Sequence, residues 1–599
     1  MVEHFKHLVG ISLSSPLVRF LSQYVWQQRI YFCFGVFFLI LTNYLTVSIP
    51  EQIGLAIDHL NDPSDYVIQI IWMGLAIIVV RTLSRVLFFN PSRDIEYDLR
   101  QDIFSHLLAL QPSFYLLHKR GDIVSRASND ITWVRAMIGF GGMMLVNIIL
   151  ALSLAGWKML QISADLTVAT IVPIGLGFVL VQYAIRQLYP LMRRNQEQMA
   201  EISDAILESL QGIATLQGFD AEKAFNQKFS VKNDAWFNTI LKLSVLQSLL
   251  TPLIALSAGG AVFFLIWYGG PKAATDELSV GDLAAFIALI ATLLPYMRSL
   301  GWLLSVWQRG NAALERIYEL LDSQIERPEL TLGVKVREQS LGPKIEIKNL
   351  NFAYPSASEQ QVLSDFSCSL PAGSTTGIFG KTGSGKSTLL SLLSRQYNPE
   401  PGSVFIDGID ICNLDLFEWR RVLSYVPQQP FLFSDTIVNN IAMTDEVDSE
   451  RVEEVVKLSS LEQDLDVLPD GLDTIVGERG IILSGGQRQR VALARGLYQT
   501  GGLILLDDVL SAVDHENEKK LVQTLKDLTL TEKYSSCLIV SNRISAFRHA
   551  DRILVLDKGK LVDQGTHREL ISRPGIYQDA WRVQKEGSSA DQTTGHAHG

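Results

Sequence analysis

The chain has 599 residues and a formal net charge of −11 at pH 7. Its length predicts several domains, and its acidity argues against a nucleic-acid partner, because a face that binds nucleic acid needs clustered Lys and Arg. Its four cysteines fit no metal-ligand or disulfide spacing, which is typical of incidental thiols in a reducing compartment.

The N-terminal segment, residues 1–28, has no small-residue cleavage site and is therefore not predicted to be a signal peptide. Within it, Pro16–Gln27 has the pattern of a short amphipathic helix at the membrane surface. We expect this segment to be cytoplasmic or interfacial.

Six apolar runs follow within residues 29–310. Each has about 20 residues or more, which is enough for a helix to cross roughly 30 Å of hydrocarbon. They predict an all-α, six-helix transmembrane domain in a lipid bilayer. The runs are Ile30–Pro50, Val67–Phe89, Met137–Trp157, Leu166–Ile185, Leu243–Tyr268 and Asp282–Trp307.

Lys and Arg are concentrated in the two long polar connections, between the second and third runs and between the fourth and fifth. The positive-inside rule places these loops and both termini in the cytoplasm. A multi-pass protein of the cell inner (plasma) membrane is therefore predicted. Arg298 lies within the last run, where a charge is a candidate for substrate contact, but it could equally pair with an acid or lie at a subunit contact.

After a linker over residues 311–343, the pattern changes at Lys344 to short runs with alternating faces, such as Ile345–Lys348. Residues 344–585 are predicted to form a separate domain rich in short strands. The polar residues 586–599 are predicted to be a disordered tail.

The stretch Gly380–Thr388 matches the phosphate-binding pattern G-x-x-x-x-G-K-[ST] between a predicted strand and a predicted helix. Its glycines let backbone N–H groups approach phosphate oxygens, and the helix N-terminus favours their negative charge. Lys386 is expected to reach the terminal phosphates and the Ser387 hydroxyl to bind Mg²⁺. A nucleoside triphosphate is the predicted ligand, bound by Gly380, Lys381, Thr382, Gly383, Ser384, Gly385, Lys386, Ser387 and Thr388.

A second motif, Leu483–Gln487 (LSGGQ), stands before a predicted helix. Ser and two Gly at a helix start offer a hydroxyl, open backbone N–H groups and a helix dipole to an anion. The motif is identical to the signature of ATP-binding cassette (ABC) transporters, and nearly the whole chain resembles an ABC exporter half-transporter. The resemblance implies an α/β P-loop NTPase (ABC ATPase) domain after the membrane domain, and a dimer in which Ser484, Gly485, Gly486 and Gln487 contact ATP held by the opposite subunit.

The resemblance also assigns roles around the nucleotide. Tyr354 resembles the aromatic residue that stacks on adenine. Gln428 and Asp507 resemble the residues that bind Mg²⁺ together with Ser387. ATP and Mg²⁺ are therefore the implied cofactors.

Four further segments resemble parts of the family that transmit motion. Gly477–Gly480 resembles the segment that contacts the cytoplasmic loops, and Ser511–Asp514 resembles the loop that links the two ATP sites. Gln111–Leu117 and Gly218–Ala224 occupy the positions of the short coupling helices that dock on the nucleotide-binding domains.

Two positions depart from the family pattern. Asp508 stands where the family has the glutamate that polarises the attacking water, and Asn542 stands where it has a histidine that bonds the γ-phosphate. Aspartate is one methylene shorter, and a misplacement of about 1 Å can cost on the order of 100-fold in rate. Asparagine can hydrogen-bond but carries no proton or positive charge. Asp508, Asn542 and Gln428 therefore form the predicted catalytic set of a poorly hydrolysing site.

In the family, such a degenerate site belongs to one subunit of a heterodimeric exporter, whose partner has the intact glutamate and histidine and an altered signature. The resemblance thus implies export of a lipophilic or drug-like small molecule, or of a lipid, by alternating access with a second half-transporter subunit. Two alternatives stay open. One is a homodimer that hydrolyses slowly with Asp508 as the base, and the other is an ATP-gated channel, regulator or importer with the same fold.

Overall fold

The structure, a computed structural model, describes residues 15–323, 342–355, 360–477, 483–499, 501–509, 523 and 536–594. The chain forms two compact units. Met1–Leu108 and Gly121–Ser323 form one, and Ala109–Arg120 and Gln324–Gly599 form the other. A short piece of the first long loop therefore belongs to the same unit as the C-terminal half of the chain.

The described residues of the first unit are all-α, and six helical stretches among them are long and apolar enough to cross a membrane, which confirms the predicted six-span domain. Every predicted run lies inside a longer continuous helical stretch, so the helical structure continues past the apolar residues. The elements between residues 16 and 321 are α1 (Pro16–Phe20), α2 (Arg29–Asp58), α3 (Ser64–Ala109), α4 (Pro112–Leu117), α5 (Arg120–Ser125), α6 (Ile131–Ala136), α7 (Gly142–Ile162), α8 (Ala164–Gln211), α9 (Ile213–Gly218), α10 (Glu222–Ala274) and α11 (Val280–Leu321), with π-helical turns at Leu21–Val25, Arg126–Asp130 and Met137–Gly141 and a 3₁₀ turn at Trp26–Gln28. Of these, α4 belongs to the second unit.

The N-terminal helix α1 leads through its π and 3₁₀ turns into α2, and its apolar side packs on protein. Tyr24 is buried, and its hydroxyl donates to Asp102 Oδ2 at 2.5 Å. Arg19 forms an ion pair with Asp322, which caps the C-terminus of α11, at 2.7 Å. The start of the membrane unit is therefore tied to the end of its last helix.

Of the two short helices predicted in the long loops, the structure has one at the predicted residues and the other at different residues. The first, α4, agrees with the predicted segment Gln111–Leu117 and begins at Pro112, a favoured first helical residue. The second prediction, Gly218–Ala224, is wrong. The short helix is α9, which ends at Gly218, and Asp220 then adopts a left-handed φ of 51° before α10 begins. Aspartate tolerates that conformation, so residues 219–221 form a turn between α9 and α10.

The second unit is built on two sheets. An antiparallel sheet has the strand order β2-β1-β4-β5, and a larger sheet has the order β10-β9-β3-β8-β7-β6, parallel except for the edge strand β10. The strands are β1 (Ile345–Ala353), β2 (Gln361–Leu370), β3 (Thr375–Gly380), β4 (Val404–Ile406), β5 (Ile409–Asp410), β6 (Leu423–Val426), β7 (Leu503–Asp507), β8 (Ser536–Ser541), β9 (Arg552–Asp557) and β10 (Lys560–Gly565).

Helices cover the parallel sheet, and β7 and β8 are buried along their whole length, as strands covered on both faces are. Trp419 packs in the core, where it is fully buried and donates its indole N–H to the Leu393 carbonyl at 2.8 Å. The helices are α12 (Lys386–Leu393), α13 (Leu416–Val422), α14 (Ile437–Ala442), α15 (Ser449–Leu458), α16 (Glu462–Leu465), α17 (Gly485–Tyr498), α18 (His567–Ser572) and α19 (Ile576–Thr594).

The C-terminal helix α19 extends to Thr594, into the segment 586–599 that was predicted to be a disordered tail. Its first half has apolar residues at helical spacing, and Tyr577 is buried against the sheet. Because this first half is already helical and docked, the polar residues that follow extend an existing helix. Extending a helix costs much less free energy than nucleating a new one.

Candidate nucleotide-binding site

Four parallel strands end at one edge of the larger sheet, and the predicted site residues follow them. Strand β3 ends at Gly380, β6 at Val426, β7 at Asp507 and β8 at Ser541. Because the carboxyl ends of neighbouring parallel strands meet at the same edge, segments that are far apart in sequence become adjacent there. Ligands of open α/β sheets bind at this edge.

The phosphate loop connects β3 to α12 at that edge. Gly385 has a φ of 97°, in the left-handed region, and a Cβ added there would lie 2.8 Å from Leu363 Cδ2. A Cβ on Gly380 would lie 2.5 Å from the Leu556 carbonyl oxygen. Only glycine fits these positions, so the loop can turn tightly and direct its N–H groups at an anion in front of α12.

Lys386 is buried at the start of α12, and its ammonium bridges the loop. Nζ donates to the carbonyl oxygens of Gly380, at 2.7 Å, and Lys381, at 2.9 Å. Burial lowers the pKa of this ammonium, and the carboxylates of Asp508 and Asp507 act in the opposite direction. An ammonium has three N–H donors, so one remains for a phosphate oxygen.

The predicted magnesium ligands are adjacent. Ser387 Oγ donates to Asp507 Oδ1 at 3.0 Å. Burial raises the pKa of the Asp507 carboxyl, and the hydrogen bond from Ser387 opposes this shift. A hydroxyl and a carboxylate are the oxygen ligands that Mg²⁺ prefers. Gln428 is nearby, since its Nε2 contacts Asp508 Oδ2 at 3.4 Å, which leaves its amide oxygen for the metal. The residues present thus fit the ion.

Asp508 is buried, and protein donors engage both of its carboxylate oxygens. Oδ1 accepts from the Ser541 hydroxyl at 3.1 Å, and Oδ2 accepts from the Gln428 amide. Its backbone has a φ of 48°, and its N–H donates to the Val540 carbonyl at 2.8 Å. The side chain is therefore held towards β8 and the loop after β6.

Asn542 directly follows β8, in what we call the switch segment, Ser541–Ile544. Its side-chain oxygen is buried and has no hydrogen-bond partner among the residues that the structure describes. Its backbone carbonyl accepts from Gln584 Nε2 at 2.9 Å. A buried polar atom without a partner is costly, so a hydrogen bond to a bound ligand would stabilise this amide. Rotating the amide by 180° would offer N–H donors to a phosphate.

Tyr354, predicted to stack on adenine, lies beside the phosphate-loop helix. Its hydroxyl is 2.9 Å from Thr388 Oγ1. Its ring makes edge contacts with Phe352 and Tyr397, each at 5.2 Å between ring centroids. The aromatic cluster fixes Tyr354 next to α12, where a base attached to bound phosphates can stack.

The signature motif forms the N-terminus of α17. Ser484 Oγ accepts from the Gln487 N–H at 3.2 Å, and the Ser484 N–H donates to Gln487 Oε1 at 2.8 Å, which is a capping box. Asp464 supports this turn, because it binds Arg490 through both oxygens and accepts from Gln487 Nε2. In the described part of the chain, no hydrogen bond joins Ser484–Gln487 to the phosphate loop.

We expect Asp464→Ala to lower ATP hydrolysis by the assembled transporter about tenfold, the cost of leaving a charged hydrogen-bond partner unpaired. Asp464 and Arg490 have side chains that are 14% and 13% exposed, so water replaces the contact poorly. The measurement is phosphate release by the purified protein. Asp466→Ala, at an exposed neighbouring acid, is the control. Equal rates in both variants would contradict a role for Asp464 in holding the signature.

Sequence reasoning missed several residues that hold the predicted ones in place. Ser541 and Gln584 contact Asp508 and Asn542, and Asp464 contacts Gln487. Only Ser541 had a signal, since it precedes Asn542 directly. Three predictions lie outside the described residues: Glu478–Gly480, Ser511–Asp514 and the side chain of Arg298.

Comparison with known proteins covers both halves of the chain. The family model "ABC transporter transmembrane region" matches residues 32–297, and the model "ABC transporter" matches residues 363–511. The probable multidrug resistance ABC transporter ATP-binding/permease protein YheI of Bacillus subtilis is 30% identical over 562 residues, 92% of this chain and 94% of that protein.

Two further proteins and one solved structure are similar over most of the chain. The multidrug resistance-like ATP-binding protein MdlA of Escherichia coli is 30% identical over 95% of this chain and 97% of its own length. The ATP-dependent lipid A-core flippase of Pseudomonas fluorescens is 32% identical over 84% of this chain and 82% of its own length. The structure of a bacterial Atm1-family ABC exporter with ATP bound aligns with a TM-score of 0.77 at 25% identity, covering 93% of this chain and 99% of that chain.

Proposed function

Because the chain belongs to the ABC transporter family, as an exporter half-transporter, we propose that it is the degenerate-site subunit of a heterodimeric exporter. The chain is a multi-pass membrane protein whose ABC ATPase domain binds ATP and drives export. We further propose which partner this chain binds, how its own ATP site behaves and which class of molecule it exports.

One observation carries the proposal: hydrogen bonds from Ser541 and Gln428 hold the Asp508 carboxylate by both of its oxygens. A general base must reach to within about 3 Å of the attacking water, so the position of the carboxylate decides whether it can act. The shorter acid at this position is instead part of the link between β7, β8 and the loop after β6. Asn542, in place of a histidine, supplies a neutral amide next to it.

In this mechanism the chain's own site retains ATP while the partner's site turns over. The Lys386 ammonium would donate its remaining N–H to the terminal phosphates, and the N–H groups of the phosphate loop would surround the others. Ser387, Asp507 and Gln428 would hold Mg²⁺, which supplies charge neutralisation when bound. Ser484–Gln487 completes the hydrolysing site on the partner. Closure of the two ATPase domains then switches the membrane helices between inward- and outward-facing states.

The proposed cargo is a lipophilic or lipid-like molecule, since the similar proteins are named for multidrug resistance and for lipid A-core flipping. We also propose that both termini are cytoplasmic, that residues 29–310 form the membrane domain and that residues 344–585 form the nucleotide-binding domain, with a linker over 311–343. The concentration of Lys and Arg in the two long loops supports this orientation.

Purification of the tagged protein in mild detergent from its host membrane tests the partner. We expect a second, equimolar band of similar size whose sequence has a glutamate and a histidine at the positions of Asp508 and Asn542 and an altered signature. ATPase activity should need both chains. A single band with ATPase activity would instead establish a homodimer in which Asp508 is the working base, and the proposal would fail.

A further inference from the structure

We propose that Gln584 is a positioning residue of the ATP site, which holds the backbone of the switch segment Ser541–Ile544 and thereby sets the position of Asn542 at the terminal phosphate of ATP. Gln584 lies on the C-terminal helix α19, 42 residues after Asn542. The inference rests on the proposed role of Asn542 in binding ATP.

A single side-chain amide makes both contacts. Gln584 Oε1 accepts from the Ile544 N–H at 2.9 Å, and Gln584 Nε2 donates to the Asn542 carbonyl at 2.9 Å. These two backbone groups flank Arg543 on either side. The amide therefore pairs with the segment as a neighbouring strand would, and fixes the peptide groups on both sides of Arg543.

The helix that carries Gln584 is anchored to the strand of the phosphate loop. Tyr577, two helical turns before Gln584, is 1% exposed, and its ring centroid is 5.2 Å from that of Phe379. Phe379 directly precedes Gly380 in β3. The Tyr577 hydroxyl lies 2.8 Å from His567 Nδ1. The contact from Gln584 thus joins the switch segment to the same rigid element that carries the phosphate loop.

The other attachment of the switch segment is at Ser541. Its hydroxyl donates to Asp508 and accepts from the Arg543 N–H at 3.0 Å. Without Gln584, the segment after Ser541 would lose the pairing of the Asn542 carbonyl and the Ile544 N–H. Ile544 itself stays buried in the core, so the loss falls on the two peptide groups around Arg543, and the Asn542 amide would be less well placed for a phosphate.

The test measures how long the full-length transporter, purified from its host membrane, retains radiolabelled ATP with Mg²⁺ after a chase with unlabelled ATP. Gln584→Ala should release ATP about fivefold faster, the equivalent of one hydrogen bond. Gln584→Glu keeps the acceptor for the Ile544 N–H but turns a carboxylate oxygen, which can only accept, towards the Asn542 carbonyl oxygen, so its release should be at least as fast as that of Gln584→Ala. Gln578→Ala is the matched control: Gln578 lies on the same helix, and its amide donates to the Ile571 carbonyl at 2.9 Å.

A double-mutant cycle separates positioning from general stability. If Gln584 acts through Asn542, Gln584→Ala should change release less than twofold in an Asn542→Ala background, because the interaction is already lost. Equal effects in both backgrounds, unchanged release in Gln584→Ala, or equally fast release in Gln578→Ala would each overturn the inference. If Lys386→Ala shortens ATP retention while Gln584→Ala does not, only the role of Gln584 falls. If neither does, the proposed ATP site falls.

Discussion

Lys386→Ala should weaken binding of Mg²⁺–ATP to this chain about 100-fold, because it removes a buried charge-assisted hydrogen bond to phosphate. The Lys386 ammonium also binds the carbonyl oxygens of Gly380 and Lys381, so its loss releases the phosphate loop as well. Both effects act on the same ligand. Titration of the purified transporter with a fluorescent ATP analogue measures the dissociation constant.

Two further variants sharpen this test. Lys386→Arg keeps the charge, but the planar guanidinium does not fit between the two carbonyl oxygens, so affinity should still fall. Lys457→Ala removes an exposed lysine of the same domain and should leave affinity within twofold. If Lys386→Ala left both nucleotide affinity and transport unchanged, the assignment of Gly380–Thr388 as the phosphate loop would be wrong.

The double variant Asp508→Glu/Asn542→His should raise hydrolysis of the ATP held by this chain on the order of 100-fold. A glutamate is one methylene longer than Asp508 and can reach beyond the donors Ser541 and Gln428 towards an attacking water. The histidine restores a side chain that can be positively charged next to the γ-phosphate.

Hydrolysis at the partner's site would hide this gain in total phosphate release, so the measurement must report on one site. An azido-ATP probe cross-linked to this chain serves, with the fraction converted to ADP followed in a single turnover. Asn542→His alone, without the longer acid, is the control and should give the smaller increase. No increase in the double variant would mean that Asp508 and Asn542 do not limit hydrolysis here.

The sequence by itself determined the features that reside in consecutive residues. Six apolar runs identify six spans because crossing hydrocarbon needs about 20 residues in a row. Gly380–Thr388 and Leu483–Gln487 identify anion sites because a helix N-terminus uses neighbouring backbone N–H groups. The sequence did not determine the exact position of α9, which ends at Gly218 before the turn at Asp220 and not within the predicted segment Gly218–Ala224.

Only the tertiary structure decided what surrounds the residues that distinguish this site. Ser541 and Gln428 meet Asp508 because β6, β7 and β8 are neighbours in one sheet and end at one edge. Gln584 reaches the Asn542 backbone because α19 packs on β3 through Tyr577. Such contacts join segments that are far apart in sequence. The order of strands in a sheet with crossover connections leaves no repeating pattern in the sequence, so these contacts could not be predicted from it.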